Sequence, residues 1–173
     1  MRTDRFFITY FLLVIVQILT YNYLHVTHYL LLSILPVLVL LVPIRFNTIG
    51  CLFIAFVTGL AADLFGDGVI GLNILALLPV ALARRSIIRL IFGGEVFARK
   101  EDISIIRHGA DKMLLSVLMV QSIFLILYVW ADAAGTRPFW FNAARFGTSL
   151  LAGTVVSLFV ARILAPERDT RWR

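Results

Sequence analysis

The stretch that decides the fold is GLAADLFGDGVIGLN, residues 59–73, in which two apolar segments flank a glycine-rich turn. Glycine admits positive φ and Asp-Gly is a strong turn signal, so Gly66, Asp67, Gly68 and Gly71 are predicted to form a tight turn. The residues before and after the turn belong to apolar runs that are typical of membrane helices. The stretch therefore predicts a transmembrane helical hairpin.

Small residues at four-residue spacing lead into this turn, and Cys51, Ala55, Gly59 and Asp63 share one slowly rotating helix face. Small side chains let a neighbouring backbone approach closely, so helix packing is expected along this face. A carboxylate is expensive to bury in a membrane, which makes Asp63 a candidate functional residue. Two interpretations stay open: a buried hydrogen-bond partner, or an interfacial residue that caps the turn.

Asn73 begins the helix after the turn, two residues past Gly71. Its amide could bond across the hairpin to Asp63, or it could be a solvated amide at a helix start. The predicted hairpin unit therefore consists of Gly59, Asp63, Gly71 and Asn73.

The composition of the whole chain places this hairpin in a membrane protein. Of 173 residues, 61% are hydrophobic and 15% charged, and the mean hydropathy is +0.95. A soluble domain has roughly 45–50% apolar and 25% charged residues, so a soluble globular fold is excluded. Apolar runs that approach the ~20 residues of a membrane span occur at 6–24, 29–44, 48–65, 69–88, 113–131 and 143–165.

We predict an all-α polytopic membrane protein, with six transmembrane helices in one bundle and residues 1–173 forming a single domain. The first run is expected to be a retained helix rather than a cleaved signal, because it is longer than a signal core and lacks a small-residue exit. The second run is short and contains Pro36 and Pro43, so we expect it to be kinked or partly re-entrant.

The distribution of basic residues predicts the orientation of the chain. With the N-terminus inside, 14 of the 16 lysines and arginines fall on the cytoplasmic side, and only Arg137 and Arg145 fall outside. Both termini and the loop at 93–112 are therefore predicted to be cytoplasmic, and the net charge of +6 requires no nucleic-acid partner. Arg84, Arg85 and Arg89 could also form a polybasic patch that faces lipid.

The loop at 93–112 mixes both charge signs and then presents several isoleucines. It could be an amphipathic segment lying on the membrane or against protein, or a solvated connector.

Polar and small residues inside the other runs indicate helix packing rather than chemistry. Ser149, Gly153 and Ser157 form a second small-residue face, which suits a helix of the same chain or of a partner, with internal packing favoured. Gln17 and Gln121 lie near mid-membrane and are expected to make interhelical hydrogen bonds.

Recognisable catalytic and metal-binding patterns are absent from the sequence. There is no phosphate loop, no His-Glu-x-x-His and no nucleophile elbow. His25 and His28 have a spacing that could ligate a metal, but no third ligand is evident nearby. We therefore expect no enzymatic activity, no cofactor and no bound metal.

The hairpin resembles the signature of the rod-shape-determining MreD family, in which a Gly, three apolar residues and an Asp end one helix. A short turn then leads to Gly, an apolar residue and His or Asn. Gly59, Asp63, Gly71 and Asn73 fill these places, and the resemblance covers about residues 30–90. It implies a non-enzymatic scaffold of the bacterial inner membrane in the cell-elongation machinery. The implied partners are the single-span protein MreC and, through it or directly, the filament protein MreB and the peptidoglycan synthases.

Two other functions are considered. The substrate-binding component of an energy-coupling-factor vitamin transporter has a similar size and six helices. Such components carry an Ala-x-x-x-Ala contact on the first helix, whereas the first alanine of this chain is Ala55. The remaining possibility is a membrane protein whose helices only pack against one another.

Overall fold

A computed structural model describes residues 3–23, 30–99, 102–134 and 137–164. Within these ranges the chain is helical and has no strand. The helices are α1 (Thr3–Tyr23), α2 (Leu35–Leu40), α3 (Thr48–Ala62), α4 (Leu72–Phe92), α5 (Glu95–Arg99), α6 (Ile105–His108), α7 (Ala110–Ala133) and α8 (Phe139–Ile163). The predicted cytoplasmic termini, with Arg2, Arg168, Arg171 and Arg173, lie outside the described residues, as do His25, His28 and Lys100.

Among the residues that the structure describes, four segments are long and apolar enough to span a membrane: Phe6–Tyr23 in α1, Thr48–Gly66 in α3 and the π-helical turn that follows it (Asp63–Asp67), and the whole of α7 and α8. The chain is thus an all-helical protein with membrane-spanning character. At 21 residues α4 is about 31 Å long. It is less apolar because Arg84, Arg85 and Arg89 lie in its second half, and it continues to Phe92, past the predicted end at residue 88.

The second predicted span is not a continuous helix. Residues 30–34 have no regular structure, and α2 contains only six residues, which rise about 9 Å. Pro36 lies in the first turn of α2, where a missing N–H is tolerated, and Pro43 follows its end. One continuous transmembrane helix at 29–44 is therefore not confirmed, and the expected break in this run is present, because Pro36 and Pro43 restrict helical structure to the short α2.

Residues 30–44, here called the return segment, nevertheless cross the bundle. The ring of Phe7 near the start of α1 lies 5.7 Å from that of Phe46, just before α3. At the other end of α1, Asn22 donates a 2.6 Å hydrogen bond to the carbonyl of Phe65, just after α3. Since α1 and α3 run in the same direction, the chain between them must run back through the bundle.

The interior of the bundle is built around this segment. All side chains of α2 are buried, and α4 and α7 pack on it and on each other. In contrast, one face of α1 is exposed and apolar, as expected for a lipid-facing surface. That face contains Phe7, Ile8, Phe11, Leu12, Ile15 and Leu19.

The loop at 93–112 packs against the bundle in the part that the structure describes. Val96 and Ile103 are about 5% and 6% exposed, and Ser104 is also buried. The His108 ring meets that of Phe92 at 5.1 Å, which joins α6 to the end of α4. Of the two interpretations of the loop, the structure supports an amphipathic segment lying on protein.

Candidate functional site

Asp63 lies at the centre of a buried hydrogen-bond cluster between α3 and α4. Its carboxylate is completely buried and accepts hydrogen bonds from the backbone amides of Gly71 and Asn73, both at 2.8 Å. The side-chain amide of Asn73 donates a third bond of 3.0 Å, and the amide of Ile74 a longer one of 3.4 Å. Asp63 is therefore a buried hydrogen-bond partner, and Asn73 makes the predicted bond across the hairpin.

Electrostatics explains why a carboxylate is favourable at the start of α4. The first amides of a helix have no intrahelical acceptor, and the helix N-terminus carries a partial positive charge. Gly71 is the N-cap of α4 and has φ of 103°, a left-handed conformation that favours glycine. Glycine has no side chain that could cap the helix, so the Asp63 carboxylate, which follows the last residue of α3, caps α4 instead.

Gly59 allows the two helices of the hairpin to touch along their backbones. A Cβ at position 59 would lie 2.9 Å from both the Cα and the N of Ile74, closer than real Cβ contacts. Tyr21 of α1 packs on the turn beside Gly66 and donates a 3.3 Å hydrogen bond to the side-chain oxygen of Asn73. The backbone contact between α3 and α4, the capping of α4 and the contact of α1 with the turn therefore belong to one structural unit.

A second polar cluster holds the unwound part of the return segment. Gln17 donates to the carbonyl of Leu32 and accepts from the amide of Ile34, both at 2.9 Å, as a neighbouring peptide group would. Gln121 donates to the carbonyl of Ser33 at 3.1 Å. Unpaired backbone groups in an apolar interior cost several kcal/mol, so these side chains make the irregular backbone tolerable.

The two glutamines were expected to connect helices by hydrogen bonds; they do have a structural role, but their partners lie in the return segment and not in a helix. Both bond to backbone, because the neighbouring segment is not helical and its peptide groups lack helical partners. Ser149 contributes in the same way, accepting a 2.8 Å hydrogen bond from the amide of Leu31.

The second small-residue face, on α8, packs against the polar cluster formed by Gln17 and Gln121. A Cβ at Gly153 would lie 2.5 Å from the Nε2 of Gln121, so the glycine leaves room for that side chain. Ser149 and Ser157 are fully buried, and so is Ala55 in the first face. Both small-residue faces are covered by the chain's own elements and are therefore not free surfaces for another helix.

A third set of polar contacts lies at the C-terminal end of the return segment, at residues 40–44. Arg84 is only 4% exposed, and its guanidinium donates to the carbonyls of Leu40 (3.0 Å) and Val42, at the end of α2. Asp102 accepts a 3.1 Å hydrogen bond from the amide of Ile44. The possibility that Arg84 faces lipid is therefore wrong, whereas Arg85 and Arg89 are exposed.

The role of Arg84 was not predicted from the sequence, although an arginine within a predicted span is by itself a reason to expect a buried partner. An ion cluster at the α7–α8 connection was not predicted either; there Asp132 forms salt bridges with Arg137 (3.0 Å) and Arg145. These two arginines are the ones that the basic-residue pattern places outside.

The polar side chains in these clusters stabilise the fold by binding to the backbone of the same chain. In the described ranges, no three His, Cys, Asp or Glu side chains lie close enough together to hold a metal ion. The buried polar groups of Asp63, Gln17 and Arg84 are bonded to backbone of the same chain. The chain matches no family model, no curated protein and no solved structure. Fold and clusters thus define an all-helical protein with membrane-spanning helices and a polar framework around a broken segment.

Proposed function

We propose that this chain is a multi-pass scaffold of the bacterial inner membrane that acts in the cell-elongation machinery. It binds a single-span partner of the MreC type and, through it or directly, an MreB-like filament and peptidoglycan synthases, and it turns over no substrate. The observation that carries the proposal concerns Gly59, Asp63, Gly71 and Asn73, on which the MreD resemblance depends. These residues form one hydrogen-bonded and closely packed unit, which gives the motif a structural role.

The packing of the interior favours a scaffold over a vitamin-binding component. A substrate site in a helical bundle is a concave space with a few convergent polar groups. Here the centre of the bundle is filled by α2, whose leucines and valines have no exposed surface. The amide of Gln17, which could otherwise recognise a substrate, is bonded to the return segment.

The proposed topology has six crossings, with the return segment as the second, and both termini in the cytoplasm. It is tested with single cysteines in a Cys51→Ala background, since Cys51 is the only native cysteine. A membrane-impermeant thiol reagent applied to intact cells should label Val69→Cys beside the hairpin turn and spare Gly94→Cys beyond α4. Labelling of Gly94→Cys would overturn this orientation.

The function is tested by depleting the protein in its host and restoring it with variants. Depletion should convert elongated cells to round ones, and the wild-type chain should copurify with a single-span elongation protein. Gly59→Ala should rescue shape poorly, because the added methyl meets the α4 backbone. Gly147→Ala is the matched control, since a Cβ there meets nothing within 4 Å. If depletion left shape intact and abolished vitamin uptake, the transporter function would replace this proposal.

A further inference from the structure

An open groove of about 550 Å³ lies between the start of α3 and the second half of α4. Its volume falls within the ~300–1,000 Å³ range of small-molecule sites. Five of its lining residues come from one face of α4, at the spacing i, i+3, i+4, i+7 and i+8. The lining consists of Thr48, Leu82, Arg85, Ser86, Arg89 and Leu90.

The groove combines unpaired positive charge with apolar surface. Arg85 and Arg89 are exposed, and neither forms a salt bridge with a carboxylate in the described part of the chain. Because they are four residues apart on a helix, their Cβ atoms lie ~5–6 Å apart and both guanidiniums can reach one anion. Leu82 and Leu90 beside them are 56% and 74% exposed. The guanidinium of Arg85 also lies 5.3 Å from the ring centre of Phe97.

The position of the groove along the bundle matches a membrane surface. From Thr48 to Asp67, α3 and the π-helical turn comprise 15 and 5 residues, about 30 Å in all. That is the thickness of the hydrocarbon core of a bilayer. The groove begins at Thr48, at the end of α3 opposite the hairpin turn, and so lies where lipid headgroups meet acyl chains.

We infer that this groove binds the headgroup of an anionic phospholipid. The guanidiniums of Arg85 and Arg89 bind the phosphate, because the planar donor fork of arginine matches phosphate oxygens. The hydroxyls of Ser86 and Thr48 donate to the phosphate or the glycerol, and an acyl chain lies over the exposed leucines. Basic pockets between membrane helices are known to hold such headgroups, and this assignment does not depend on the proposed elongation function.

The test is native mass spectrometry of the full chain in detergent, titrated with phosphatidylglycerol and with phosphatidylcholine of the same acyl chains. The wild type should prefer phosphatidylglycerol. In detergent there is no bilayer surface, so only an arginine that contacts the bound phosphate contributes to this preference; at about fivefold for each contact, Arg85→Gln/Arg89→Gln should lower it about 30-fold. The charge-matched control Arg45→Gln/Arg162→Gln removes two exposed arginines from the same end of the bundle and should keep the wild-type preference.

Three results would overturn the inference. The groove variant could keep the preference, the control could lose it equally, or inorganic phosphate could displace phosphatidylglycerol as well as a competing lipid does. The second result would assign the preference to overall charge, and the third to phosphate alone. If the double variant does not fold, Arg89→Gln alone should give about a fivefold loss, and an unchanged preference in that variant would also overturn the inference.

Discussion

Replacing Asp63 with alanine is the sharpest test of the hairpin unit. The change leaves the backbone amides of Gly71 and Asn73, and the side-chain amide of Asn73, without their acceptor. Because Asp63 is completely buried, water does not readily take the place of the carboxylate. The backbone amides belong to the start of α4, where no carbonyl of the same helix is available to them.

The expected loss of stability follows from these bonds. A hydrogen bond to an ionised group contributes about 1.5–3 kcal/mol, and three such bonds of 3.0 Å or less connect Asp63 to α4. The free energy needed to bury the carboxylate offsets part of their sum. We expect Asp63→Ala to lower the free energy of unfolding by about 3 kcal/mol, on the order of 100-fold in the folding equilibrium.

The measurement is reversible unfolding of the purified full chain in mixed micelles, followed by circular dichroism. Asp63→Asn keeps the size of the side chain and one acceptor oxygen, so its loss should be smaller. Asp111→Ala is the control, since Asp111 is an exposed carboxylate in the first turn of α7. The free energy of unfolding of Asp111→Ala should fall by only ~0.3–1 kcal/mol, which is the contribution of a surface charge near a helix N-terminus. A loss for Asp63→Ala no greater than that of the control would refute the reasoning.

Two further pairs of variants test the other contacts by the same unfolding measurement. Gly59→Ala should destabilise the chain by about 1–3 kcal/mol, because its Cβ overlaps the backbone of Ile74, whereas Gly147→Ala should be neutral or slightly stabilising. Equal behaviour of the two glycine variants would argue against backbone contact in the hairpin. Arg84→Gln should cost about 2–4 kcal/mol, since the carbonyls at the end of α2 lose a charged donor, while the adjacent Arg85→Gln should cost under about 0.5 kcal/mol. A larger loss for Arg85→Gln than for Arg84→Gln would contradict the burial of Arg84.

The return segment illustrates how a membrane protein can keep irregular backbone in its interior. Residues 30–34 are not helical, and three side chains from distant helices make hydrogen bonds to four of their backbone groups. Gln17, Gln121 and Ser149 approach from α1, α7 and α8 respectively. Because each of the three side chains belongs to a different helix, the segment also connects those helices.

Much of the hairpin could be predicted because its signals are local. The Asp-Gly turn, the four-residue spacing of small residues and the apolar runs on both sides all lie within residues 48–88. They indicated the turn, the close approach at Gly59 and a possible bond between Asn73 and Asp63. They left the burial of Asp63 open, because a carboxylate near a helix end can reach either water or a neighbouring helix start.

The second span and Arg84 could not be predicted to the same degree. Hydropathy marks residues 29–44 as apolar whether they are helical or extended, and the prolines indicate a break without showing what replaces the helix. The partners of the break lie far along the chain: Gln17 is 15 residues from Leu32, and Ser149 is 118 residues from Leu31. Arg84 similarly lies 44 residues from the carbonyl of Leu40.

The sequence by itself determined that the chain is helical, apolar enough for a membrane and folded around a hairpin at residues 59–73. The tertiary structure alone decided that one predicted helix is a broken segment and which side chains satisfy it. The physical reason is that hydrophobicity and turn chemistry are properties of neighbouring residues. An unsatisfied peptide N–H or C=O, in contrast, pairs with any acceptor or donor that packing brings within about 3 Å, and only the packed bundle determines which group that is.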